Sequence, residues 1–60
     1  SQTAHDVADI VNNELDIIKR RLQRVLNKLN QKDRLFHKLE KLLQRIESTE
    51  TALNDLKSVN

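Results

Sequence analysis

Apolar side chains return along this chain at alternating intervals of three and four residues. With Ala8 placed at heptad position a, the a series reads Ala8, Leu15, Leu22, Leu29, Phe36, Leu43, Glu50 and Lys57. The d series reads Ala4, Val11, Ile18, Val25, Lys32, Leu39, Ile46 and Leu53. Between Val11 and Ile46 only Lys32 interrupts the two rows. A phase kept this long argues for a coiled coil, and a repeat of 3.5 rather than 3.6 residues makes the helices supercoil left-handedly. The pattern predicts an all-α chain in which one long helix over residues 3–57, about 80 Å long, wraps around further copies of itself. Val11, Leu15, Ile18, Leu22, Val25, Leu29, Phe36, Leu39, Leu43, Ile46 and Leu53 form the expected oligomer core.

A competing reading breaks the helix at Asn30-Gln31-Lys32-Asp33, the most polar internal stretch, with Asp33 capping a second helix. Two observations weigh for the continuous helix. The chain has no Gly and no Pro, the usual turn residues, and the spacing from Leu29 to Phe36 carries the heptad phase through the polar stretch. Near the start, Thr3 and Asp6 are spaced as a capping box, and Asp6 and Asp9 suit the positive end of a helix dipole. Residues 1–2 and 58–60 are expected to fray. Ser48-Thr49-Glu50-Thr51 is an expected weak point, because poor helix formers accompany a carboxylate in the seam.

The identity of the seam residues bears on how many helices pack together. Leu15, Leu22 and Leu29 occupy a, while Val11, Ile18, Val25 and Ile46 occupy d. That order is the reverse of a two-stranded parallel coil and favours a trimer or tetramer over a dimer. Leu35, Leu42 and Leu56 at g and Leu26 at e widen the apolar stripe beyond a dimer's needs. A parallel in-register arrangement would pair Glu14 with Lys19 and Lys28 with Asp33 between helices. An antiparallel one centred on the middle would pair Lys19 with Glu47 but set Asp33 against Asp33, so the parallel form is expected. Lys32, at a central d position, is read as a device for register and partner choice, since a polar seam residue gives up stability for specificity. A simpler reading has its stem packed in the layer and its charge reaching water.

Composition removes several function classes. The chain has no Cys, which leaves no thiol catalysis, zinc knuckle or disulfide scaffold. No apolar run approaches the roughly 20 residues of a membrane span, and the N-terminus lacks the layout of a signal peptide. A soluble, intracellular segment of a longer protein, cytoplasmic or nuclear, is the resulting expectation. His5 at e and His37 at b are expected on the outside, and His37 with Glu40 is better read as a solvated face than as a metal pair. No nucleophile elbow, phosphate loop or paired metal-ligand motif is present, so neither catalysis nor a cofactor is expected.

Charge is distributed in blocks. Residues 1–18 carry −4, residues 19–45 carry +8 and residues 46–60 carry −2, which together give the net +2. The basic block begins with Lys19, Arg20, Arg21 and Arg24, a belt that would suit an anionic partner. No aromatic is placed for base stacking, so nucleic acid is the less favoured occupant. No family signature stands among these residues. The expected function is self-association, with the segment holding copies of a larger scaffold or regulatory protein together. The alternatives are a basic rod that binds nucleic acid or an acidic protein, and one helix of a heteromeric bundle.

Overall fold

The segment at residues 29–33, which holds the polar stretch Asn30-Gln31-Lys32-Asp33, turns the chain back on itself. The computed structural model describes residues 2–58 and holds two helices, α1 at Gln2–Lys28 and α2 at Arg34–Lys57, with no strand among the described residues. They pack antiparallel, with Asn12 meeting Asn54 and Lys19 meeting Glu50. The continuous helix over residues 3–57 is therefore corrected to a helical hairpin. Its long dimension is 45 Å, little more than the length of α1 alone and about half that of the expected rod.

The turn needs no Gly because none of its residues takes a positive φ. Two short acidic or amide side chains supply the hydrogen bonds instead. Asn30 Oδ1 accepts from the Lys32 backbone N–H at 2.9 Å, and the Asn30 carbonyl accepts from the Asp33 N–H at 2.9 Å. Asp33, with an extended backbone at φ −72° and ψ 135°, then caps α2 by accepting from the Leu35 N–H at 2.9 Å. Asn and Asp make such local bonds readily, which is why they start turns and cap helices. Lys28 in the last turn of α1 and Asp33 at the start of α2 also suit the two helix dipoles that meet there.

Both outer ends differ in detail from the sequence reading. α1 begins at Gln2, so Thr3 lies inside the helix, and the Asp6 carboxylate accepts from the Gln2 side chain at 3.1 Å. The capping box on Thr3 and Asp6 is thus not the start of this helix. Residues 48–51 are helical throughout; the Thr49 and Thr51 hydroxyls donate to the carbonyls of Arg45 and Glu47, one turn back, at 2.8 and 3.1 Å. Ser58 closes α2, with its Oγ donating to the Asp55 carbonyl at 2.7 Å. The expected frayed positions Ser1, Val59 and Asn60 lie outside the described residues.

The core between the helices is thin. Among the described residues only Ala8, Leu26 and Ile46 are buried, at 1, 8 and 8% exposure, while Leu15, Leu22, Leu29, Phe36, Leu39, Leu43 and Leu53 are half-buried around them. α2 turns its a and d rows inward, as the heptad assignment has it. α1 does not: its inner rows are a and e, so Asn12, Lys19 and Leu26 face α2 and the d row is left outside.

Candidate self-association surface

One open side of the hairpin is polar and ties the helices together. Asp9 of α1 pairs with Lys57 of α2, Asn12 Nδ2 donates to Asn54 Oδ1 at 2.9 Å, and Lys19 Nζ donates to Glu50 Oε1 at 3.0 Å. Lys19 also lies 3.6 Å from Asp16, and its hydrogen bond to Glu50 holds the ammonium above its ordinary pKa of 10.5 against an opposing desolvation cost. Asn12 Oδ1 is enclosed and accepts no hydrogen bond. These contacts fix the register of the hairpin, because each joins residues far apart in the chain and none survives a one-turn slip.

The opposite side is apolar. Val11, Ile18 and Val25 make the displaced d row of α1, 37–48% exposed, and Leu35, Leu42 and Leu56 make the g row of α2, 43–48% exposed. Helical phase places both rows on the same side of an antiparallel pair. The register set by Lys19 and Glu50 brings Val25 level with Leu42, Ile18 with Thr49, and Val11 with Leu56. Val7, Ile10 and Ile17, also exposed, extend the strip around the outer side of α1. Two helices thus share one continuous greasy face that neither covers for the other, the kind of surface that marks an interaction site.

The remaining predicted residues fall elsewhere. Lys32 is exposed in the turn and forms no seam layer between Leu29 and Phe36. Glu14 and Lys28 are exposed on α1, while Lys19 is engaged by Glu50 and Asp33 by the cap within the hairpin. In the basic belt, Lys19 and Arg20 are bound to Glu50 and Asp16, with Arg20 Nε 3.1 Å from Asp16, while Arg21 and Arg24 are exposed. His37 lies 3.6 Å from Glu40 and edge-on to Phe36, and His5 is half-buried. No group of three His, Cys, Asp or Glu side chains is placed to hold a metal ion among the described residues. A cleft of about 340 Å³ beside the turn is walled by Leu26, Leu29, Phe36 and Leu43 with Gln23 and Gln31, without a titratable group.

Asn12 and Lys19 are the inner residues with the weakest signal in the sequence. They sit at e, one polar row beside an apolar one, and only Leu26 in that row carries a hydrophobic signal. No helix of the structure is long and apolar enough to cross a membrane among the described residues. Comparison with protein-family models, curated proteins and solved structures finds no match to this chain.

Proposed function

We propose that this chain is a self-association module whose working unit is the hairpin. It would hold copies of a larger scaffold or regulatory protein together. The observation that carries this reading is the apolar face made jointly by Val11, Ile18 and Val25 of α1 and Leu35, Leu42 and Leu56 of α2. A 60-residue chain without disulfides has little stability to spare. Leaving six large aliphatic side chains 37–48% exposed on one face, with only three residues buried among the described residues, forgoes apolar burial that a partner would recover. A chain that supplies two helices completes a four-helix bundle with one further copy. Sedimentation equilibrium tests the reading. Self-association with a helicity that rises with concentration is expected, and a helical monomer at high micromolar concentration would refute it.

A second reading rests on charge. Folding back brings the acidic residues 1–18 and 46–60 to the open end and gathers the basic residues 19–45 at the turn end, so +8 sits in one half of the molecule. An acidic protein or a nucleic acid would be drawn to that half, and an acidic helix could complete a heteromeric bundle. A salt-sensitive shift with RNA, DNA or an acidic peptide, abolished by changing Lys19, Arg20 and Arg21 to Glu, would favour it. Within the hairpin Lys19 pairs with Glu50 and Arg20 with Asp16, which lowers the charge this half offers a partner.

A further inference from the structure

We infer that the partner on the apolar face is a second copy of this hairpin, turned end for end about a two-fold axis that passes at the level of Ile18 and Thr49. The inference rests on the self-association reading and adds to it the partner, the number of copies and their orientation. Two features carry it.

The first is the symmetry of the face. An interface around a two-fold axis must be complementary to itself. On α1 the row runs Val11, Ile18, Val25 about Ile18; on α2 Leu42 and Leu56 flank Thr49, and Leu35 continues the row one heptad further toward the turn, beyond the symmetric part. Ile18 and Thr49 stand at the same level in the hairpin register. End-for-end rotation about that level sets Ile18 on Ile18, Val11 on Val25, and Leu42 on Leu56. Each α1 packs antiparallel on the other α1 and each α2 on the other α2, closing a four-helix bundle in which all neighbours are antiparallel. In that bundle the a row of α1 fills the seam within a hairpin and its d row fills the seam between hairpins, so both rows of the heptad are used.

The second is charge. The open half of the hairpin carries −6 and the turn half +8. Turning one copy end for end lays each basic half over an acidic one, whereas copies pointing the same way would stack +8 on +8. The same rotation brings Glu14 of one copy beside Arg21 of the other, both at g and both exposed on the flank of the apolar strip. Across antiparallel helices g residues face g residues, so two symmetric ion pairs close over the Ile18 layer.

Two variants and a mass measurement test the proposal. The chain has no native Cys, so Ile18→Cys should give a disulfide-linked dimer on mild oxidation, while Asn13→Cys, on the outer side of α1, should not. Spin labels on Gln31→Cys, at the turns, should lie about 35–40 Å apart in the end-for-end dimer and under about 20 Å if the copies point the same way. Solution mass should be that of two chains. A dimer with the short label distance, or a stoichiometry other than two, overturns the arrangement while leaving self-association standing. A monomer at high micromolar concentration overturns both. Arg21→Glu should weaken the dimer and Glu14→Arg in the same chain should restore it, and no rescue would remove the proposed ion pair and the rotation that forms it.

Discussion

Lys19 and Glu50, 31 residues apart in the chain, meet across the hairpin at 3.0 Å with side chains 24 and 17% exposed. Glu50 stands at an a position, where a carboxylate ends a row that is apolar from Ala8 to Leu43, and Lys19 is what makes it tolerable there. Removing only one partner leaves a half-buried charge without its counter-ion, which costs more than the pair itself contributes. Lys19→Ala is therefore expected to lower the melting temperature, whereas Lys19→Leu combined with Glu50→Leu should raise it above the parent. Thermal melts of the single and the double variant check both signs.

The same pair sets a pH dependence on the alkaline side. The folded state holds the Lys19 ammonium above its ordinary 10.5, chiefly through the hydrogen bond to Glu50. A group whose folded pKa is raised stabilises fully below its unfolded pKa, and that contribution disappears as pH climbs through the folded value. Melting temperature should thus fall more steeply above pH 10.5 in the parent than in the double variant that carries Lys19→Leu and Glu50→Leu. Equal slopes would show that the pair contributes nothing.

The turn offers a direct test of hairpin against rod. Inserting two Gly residues between Gln31 and Lys32 lengthens a surface turn and should leave helix content nearly unchanged, because loop extension costs only about 0.6 kcal/mol per doubling. In a continuous coiled coil the same insertion would break the helix and shift every later seam residue out of phase. Asp33→Ala, which removes the cap on Leu35, should cost about 1 kcal/mol, a fall of about 4–8 °C in melting temperature. Asp33→Asn, able to accept the same hydrogen bond, should cost far less.

Legibility divides along the same line. The helical class and the inward positions of α2 could be read from spacing, since Phe36, Leu39, Leu43, Ile46 and Leu53 keep one phase and α2 uses that phase. The reversal at residues 29–33 was concealed by two coincidences. Leu29 and Phe36 both point inward on opposite sides of a turn, and seven residues happen to separate them, so the rhythm gives no sign of the break. The absence of Gly is informative only where a turn needs positive φ, and this one is built from Asn30 and Asp33 without it. The inner face of α1 was the other obscured element. Its a and e rows include Asn12 and Lys19, whose reasons for facing inward are Asn54 and Glu50, more than 30 residues away.

Substitutions on the two sides of α1 should behave differently. Leu26, 8% exposed between the helices, supports the hairpin itself; Leu26→Ala is expected to cost about 2–5 kcal/mol and to reduce helicity at every protein concentration. Leu22→Asp should be worse, because it buries an unpaired charge. Ile18→Asp leaves the inner face intact and should act on association, weakening it by roughly 100-fold for about 2.7 kcal/mol of lost interface energy. Helicity of this variant should recover at high concentration, which Leu22→Asp should not allow.

Ionic strength gives the cheapest check on orientation. If copies meet with opposite charge blocks apposed, raising salt screens an attraction and the dimer should loosen between about 0.05 and 0.5 M. If like blocks were apposed, added salt would tighten it. The dimerisation constant measured by sedimentation at the two salt levels gives the sign.

Because α1 and α2 run out and back, polypeptide joined before Gln2 and after Ser58 would leave from one pole of the hairpin. End-for-end pairing then points the attachments of two copies in opposite directions, separated by roughly the 45 Å length of the unit. Such a joint would keep whatever it carries apart at a set distance, acting as a strut where a parallel coil would bundle its loads side by side.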